Sequence, residues 1–126
     1  MKKLLSIILA FIIPFCYMFG ETKKATDSLL SLGYEYYSQE RYMDALDILS
    51  KAVKAADKTH DDYTYIKSYV YIGNIYTIFD DYEQALHYYK KSLVKAYKLK
   101  DEKAITTAKC NMLLCYANLG MAREAQ

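Results

Sequence analysis

From Tyr69 to Leu93 the apolar residues of this chain form two stripes separated by a short polar break. Tyr69, Ile72, Gly73 and Tyr76 recur three, four and seven positions apart, which places them on one face of a helix. Asp80 and Asp81 interrupt that stripe, and Tyr82, Ala85, Leu86, Tyr89 and Leu93 resume the same period. Two such stripes joined by a few polar or turn-forming residues predict an antiparallel helical hairpin. One hairpin cannot bury both of its faces, so the pattern predicts further copies. Along the whole chain it predicts helices over 24–39, 42–57, 61–79, 82–99 and 101–118, and a sixth from about 121. Asp61 or Thr59, Asp81 and Asp101 stand where the third, fourth and fifth helices need caps, with Gln84 placed to complete a capping box.

The copies are present. Leu29-x-x-Leu32-Gly33-x-x-Tyr36 repeats as Tyr69-x-x-Ile72-Gly73-x-x-Tyr76, and each is followed nine residues later by an alanine, Ala45 and Ala85. A third copy carries Met112, Leu113, Tyr116, Gly120 and Ala125. Tyr36, Tyr76 and Tyr116 are forty residues apart, as are Ala45, Ala85 and Ala125. Glycine inside a helix costs about 1 kcal/mol against alanine, so Gly33 and Gly73 are expected where two helices approach closely, facing Ala45 and Ala85. The third copy has Lys109 in place of the aromatic and Leu113 in place of the glycine. Its second helix has only MAREAQ, which leaves Met112, Leu113, Tyr116 and Leu119 without their cover; either a longer chain or a partner would supply it.

These motifs resemble the tetratricopeptide repeat family, with Leu29 and Tyr69 in its tryptophan place. The resemblance runs from about Ala25 to Gln126 and implies an all-α, right-handed α-solenoid of helical hairpins, with two full repeats and an incomplete third. The repeats are expected at about 26–57, 62–99 and 102–126, within a domain of residues 21–126. The period of forty exceeds the usual ~34 of the family. The longer form is similar to that of cargo adaptors, cell-polarity scaffolds and bacterial sensor proteins.

Residues 1–20 are of another kind. Met1-Lys2-Lys3 is basic, Leu4 to Phe19 is almost wholly apolar, and Gly20 precedes the polar Glu21-Thr22-Lys23-Lys24. That is the layout of a signal peptide cleaved near Gly20, and it predicts an exported protein, periplasmic or associated with the cell envelope. Sixteen residues fall short of the ~20 that span a bilayer comfortably, and Pro14 would kink the helix, so an uncleaved anchor is the weaker reading. A lipoprotein would use Cys16, but Phe15 before it is bulky for that processing.

Charge narrows the partners. With Lys2 and Lys3 removed, the fifteen remaining basic residues equal the fifteen acidic ones, which argues against nucleic acid. Lys90, Lys91, Lys95 and Lys98 end a helix that Asp80, Asp81 and Glu83 begin, an arrangement the helix dipole explains. Fifteen tyrosines suit a helical array, where the ring packs and the hydroxyl stays at the wet edge. Cys110 and Cys115 point roughly 140° apart on one helix and cannot bridge each other; both are expected to pack against neighbouring helices.

No residues form a catalytic constellation. His60 and His87 lack partners at metal-ligand spacing, the Asp61-Asp62 and Asp80-Asp81 pairs read as caps, and no glycine-rich phosphate loop occurs. The chain is expected to be no enzyme and to need no cofactor or metal. The resemblance instead implies a concave groove for a protein or peptide. Its lining would include Tyr34 and Tyr37 from the first copy, Lys67, Val70, Asn74, Thr77 and Ile78 from the second, and Leu114 and Asn118 from the third. Asp27, Leu30, Ser38, Thr107, Cys110 and Ala117 hold the remaining groove positions. Asn74 can offer a peptide backbone both a donor and an acceptor. A clamp for a carboxylate terminus would need basic groups beside asparagines, and only Lys67 is basic. Two other readings stand beside this exported binding module. One is the sensory front of a longer membrane-bound bacterial regulator, in which the membrane would be met only through an uncleaved N-terminus or a missing C-terminal part. The other is a structural unit that forms homo-oligomers through its open C-terminal repeat.

Overall fold

The computed structural model describes residues 1–124, which form five helices: α1 (Lys2–Ser38), α2 (Tyr42–Thr59), α3 (Asp62–Ile78), α4 (Tyr82–Leu99) and α5 (Glu102–Glu124). Each helix packs on the next, while α1 also meets α3 and α3 also meets α5. No such approach joins α2 to α4. Helices α1, α3 and α5 therefore lie side by side as an inner layer, and α2 and α4 stand apart as an outer one. A stack whose inner members touch and whose outer members splay curves with its concave side on α1, α3 and α5.

Four turns of one design punctuate the chain every twenty residues. Glu40, His60, Asp80 and Lys100 each adopt a left-handed conformation, with φ of 59°, 55°, 59° and 54°. The amide after each closes the preceding helix: Arg41 donates to the Tyr36 carbonyl, Asp61 to Ala56, Asp81 to Tyr76 and Asp101 to Ala96. Next, side chains start the new helices. Asp61 accepts from the Thr64 amide at 3.1 Å, Asp81 from Gln84 at 3.1 Å and Asp101 from Ala104 at 3.0 Å. The capping box expected at Asp81 is half formed, because the Asp81 amide is already bonded to Tyr76. Asp61 does more than cap. The Thr26 hydroxyl donates to its carboxylate at 2.6 Å, which ties α1 to the start of α3. Burial opposes ionisation of Asp61, but hydrogen bonds from Thr26 and Thr64, with nearby Lys23, outweigh it and hold the carboxyl below its ordinary range.

Two expected boundaries differ. Helix α1 does not begin near 24 but runs unbroken from Lys2 through Pro14 to Ser38. Helix α5 does not stop at 118 for a sixth helix to begin near 121; it continues through Gly120 to Glu124. Gly120 holds the twenty-residue register of the turns, yet Met121 supplies no capping side chain such as Asp61 or Asp81. Ala125 lies outside the described residues.

The core is built at the hairpin and stacking contacts. Leu49, Ile75, Ala45 and Ala85 are wholly buried. Ile75 of α3 packs with Ala45, Leu49 and Val53 of α2, and Cys115 of α5 packs with Ala85, Leu86 and Tyr89 of α4. Both residues face the repeat before their own. The same register position in α1 is Glu35, which is exposed. With it Lys23, Lys24, Asp27, Ser28 and Ser31 make the outer face of α1 polar, a face on which no described helix packs.

The two helical glycines Gly33 and Gly73 do mark close approaches, but to different residues than the alanines expected. A Cβ on Gly33 would lie 2.6 Å from Leu49 Cδ2, and one on Gly73 would lie 2.5 Å from Tyr89 Cε1. The larger side chains one turn beyond Ala45 and Ala85 reach back over the glycine, as helical side chains lean toward their N-terminus.

Candidate functional site

The inner layer brings residues of α1 and α3 into one aromatic face. Tyr34 and Tyr37, one turn apart on α1, have ring centroids 6.5 Å apart. Tyr71 of α3 closes on both, with its centroid 5.4 Å from each. Tyr37 then meets Tyr42 edge-on at 6.0 Å, and Tyr42 meets Phe79 edge-on at 5.8 Å. These offset and edge contacts are the ones the ring quadrupole favours. Tyr34 remains 51% exposed, and Tyr63, one turn before Lys67 on α3, is 64% exposed. The Lys67 ammonium lies 5.9 Å from the Tyr63 ring centre. Burial raises the Tyr71 phenol above its ordinary range, with the phenols of Tyr34, Tyr63 and Tyr37 adding to it. Tyr71 therefore remains an uncharged phenol at neutral pH, and Lys67 places a positive charge beside the rings.

The expected groove residues do not all reach this face. Tyr34, Tyr37, Lys67, Val70 and Ile78 sit on or beside it, with Ile78 45% exposed. Leu114, 55% exposed, and half-buried Asn118 lie further along on α5, where the Asn118 amide donates to the Leu114 carbonyl at 2.9 Å. Asp27, Ser38, Thr107, Cys110 and Ala117 are exposed, whereas Leu30 packs against the core. Cys110 therefore does not pack as expected, although Cys115 does.

Thr77 is turned inward. Its hydroxyl donates to the Gly73 carbonyl at 3.0 Å and lies 3.2 Å from the Tyr89 hydroxyl and 3.8 Å from Cys115 Sγ. Asn74 is half committed: Tyr89 donates to its Oδ1 at 2.6 Å, which leaves the amide NH2 as its main offer to a ligand. Burial pushes the Tyr89 phenol up to about 12, so it remains a donor at neutral pH. Both misplacements have one cause. Tyr89 stands where the first repeat has Leu49, and its hydroxyl draws the neighbouring polar groups of α3 toward itself.

Tyr63 and Tyr71 were not among the expected groove residues. Their signal was available, because Tyr63, Lys67, Val70, Tyr71 and Asn74 keep three- and four-residue spacing on one helix face. The other tyrosines of α3 serve the opposite side. Tyr65 and Tyr69 meet edge-on at 4.9 Å, and Tyr69 and Tyr76 both stack on Tyr88 of α4. Lys95 lies 4.7 Å from the Tyr65 ring centre and 3.2 Å from Asp62, and Lys91 lies 5.5 Å from the Tyr69 ring centre. Two lysines of the basic cluster are thus held by rings across the hairpin as well as by the dipole of their own helix. Among the described residues no three His, Cys, Asp or Glu side chains gather as a metal site would need.

Stacked helical hairpins with a curved inner layer define the class of helical repeat proteins whose inner face meets other proteins. Within that class, the chain belongs to the tetratricopeptide repeat family, whose model matches residues 20–93. A search of curated proteins finds no match. Among solved structures the chain is similar to the TPR domain of Arabidopsis FLU, with a TM-score of 0.73 and 21% identity over 79% of this chain and 83% of that one. That likeness is one of fold. Repeats of this family are typically non-catalytic modules for protein–protein interaction.

Proposed function

We propose that this chain is an exported, non-catalytic module that holds an extended peptide or a partner helix across the face of α1 and α3. The observation that carries the reading is the aromatic cluster of exposed Tyr34 with half-buried Tyr37 and Tyr71, and with exposed Tyr63 and Ile78 at its edges. Rigid rings with polar tips lose little conformational entropy on binding and commonly anchor interfaces. The lack of basic groups beyond Lys67 favours a ligand segment that is neutral and apolar rather than one ending in a clamped carboxylate.

A displayed library of random peptides, selected on the folded chain, tests this. Enriched peptides are expected to bind the Tyr34→Ala, Tyr71→Ala double variant at least tenfold more weakly, a loss of about 1.4 kcal/mol or more. Thr77→Ala, on the inward side, is expected to leave affinity unchanged. Equal binding to the double variant would move the site elsewhere.

Export rests on residues 1–20. Helix α1 as a whole is long and apolar enough to cross a membrane, the Leu4–Met18 side chains are exposed, and the family match begins only at residue 20. A signal sequence accounts for a helix of that composition outside the repeat core. The mature protein from its native cells is expected to begin near Glu21, read by intact mass; a chain that keeps residues 1–20 would replace export and cleavage with a membrane tether.

A further inference from the structure

We propose that one long edge of the repeat stack rests on an anionic lipid bilayer, held by lysines at the ends of α2 and α4 and the start of α5. This inference is independent of the groove reading and holds whether residues 1–20 are kept or removed. The antiparallel helices alternate between two edges, one formed by the turns at Glu40 and Asp80, the other by the turns at His60 and Lys100. Charge is divided between these edges. The half-helices nearest the second edge, residues 21–30, 51–70 and 91–110, carry twelve lysines against seven carboxylates. Those nearest the first, residues 31–50, 71–90 and 111–120, carry two basic residues against seven carboxylates. A repeat domain with almost no net charge is thus polar from edge to edge. The helix dipole accounts for lysines at the end of α2 or α4. It does not account for Lys23 and Lys24 within α1, or for Lys103 in the first turn of α5, where the dipole opposes a cation.

Several carboxylates on the basic edge are already engaged. Asp61 and Asp101 cap α3 and α5, and Asp62 pairs with Lys95 at 3.2 Å. Lys54, Lys58, Lys98, Lys100 and Lys103 are exposed and make no ion pair among the described residues. Apolar side chains stand among them: Val94 is 57% exposed, Tyr97 50% and Leu99 44%. The Lys109 ammonium lies 5.3 Å from the Tyr97 ring centre and adds a further cation there. This exposure does not come from the end of the stack. Lys54, Asp57 and Lys58 hold the positions of Val94, Tyr97 and Lys98 on α2, which a full repeat follows, and they are exposed too. Lysines around a tyrosine and short aliphatic groups fit a bilayer surface, where ammonium groups meet lipid phosphates and apolar groups enter the headgroup layer. The basic half holds no arginine, the residue that bidentate recognition of a carboxylate or of nucleic acid favours. The apolar half of α1 leaves the domain at this same edge, because Thr22 and Lys23 lie beside Thr59, His60 and Asp61 and Thr26 is bonded to Asp61. A bilayer that receives it meets the lysines first and leaves the acidic edge turned away.

Acylation of the lysines by a water-soluble ester, read residue by residue by mass spectrometry, tests the edge. The protein is taken with the N-terminus its native cells leave. It is mixed with vesicles of phosphatidylcholine alone, or of phosphatidylcholine with about a third of anionic phosphatidylglycerol. A retained apolar segment would anchor the chain to both, so the difference between the two vesicles is what is read. Lys58, Lys98 and Lys100 are expected to react at least about threefold more slowly on the anionic vesicles. That protection is expected to vanish in ~1 M salt, where charges are screened beyond about 3 Å. Lys90, at the middle of α4, is expected to react equally on both. Lys98→Glu with Lys100→Glu is expected to abolish the protection of Lys58 with helix content unchanged, since both side chains are exposed and Glu40 already holds the equivalent turn position to Lys100. Arginine at both positions is expected to keep it. Equal reaction on the two vesicles overturns the proposal. So does protection spread evenly over Lys67 and Lys90, or protection by polyglutamate and not by anionic vesicles, which would make the partner an acidic protein.

Discussion

Gly73→Leu is expected to destabilise the chain by more than about 3 kcal/mol, and Gly73→Ala by about 1–2 kcal/mol. On helix propensity alone both changes should help, by up to about 1 kcal/mol. Packing reverses the sign. The first carbon added at Gly73 would lie 2.5 Å from Tyr89 Cε1, 2.7 Å from Cδ1 and 2.9 Å from Cζ. The ring cannot swing aside, since it is 2% exposed and its hydroxyl is bonded to Asn74 and lies within reach of Thr77. Gly33→Ala meets Leu49 Cδ2 at 2.6 Å and Cγ at 2.8 Å, a smaller group that no hydrogen bond anchors, and should cost somewhat less although Leu49 is wholly buried. Gly120→Ala meets nothing and is expected to stabilise the single chain slightly. Urea unfolding followed by circular dichroism ranks the set. A stabilised Gly73→Ala variant would mean that the contact with Tyr89 is looser than drawn.

Ile75→Glu should destabilise the chain by about 4 kcal/mol or more. Ile75 is wholly buried against Ala45, Leu49 and Val53, so the carboxylate would enter the contact between repeats with no cation to meet it. The comparison lies forty residues earlier. Glu35 already holds that register position in α1, exposed, where no described helix packs against it. Glu35→Ile should therefore leave stability within about 0.5 kcal/mol. Thermal unfolding reads both, and roughly 5 °C accompanies each kcal/mol in a domain of this size. Equal effects of the two exchanges would deny that position 75 faces the preceding repeat.

The hairpins were legible before any coordinates because they rest on local chemistry. The three- and four-residue spacing of Leu29, Leu32 and Tyr36, and of Tyr69, Ile72 and Tyr76, requires helices with one apolar face. Asp61, Asp81 and Asp101 cap because an aspartate before such a stripe has three-residue reach to a free amide. The repeat of forty follows from the same residues recurring, and with it the stacking order. Of the aromatic face proposed to bind a ligand, Tyr34 and Tyr37 were legible in the sequence, and Tyr63 and Tyr71 share their helical spacing with Lys67 and Asn74; the inward hydrogen bonds of Thr77 were not legible.

What the tertiary structure alone decided are the contacts made between helices. That Leu49 and Tyr89, and not Ala45 and Ala85, close on the glycines depends on how far side chains lean across a helix crossing. The inward turn of Asn74 and Thr77 depends on a hydroxyl carried by a different helix. The unbroken course of α5 through Gly120 could not be read from spacing, since a glycine permits a turn without requiring one. Sequence spacing determines which face a residue lies on; only the packed neighbours determine what that face meets.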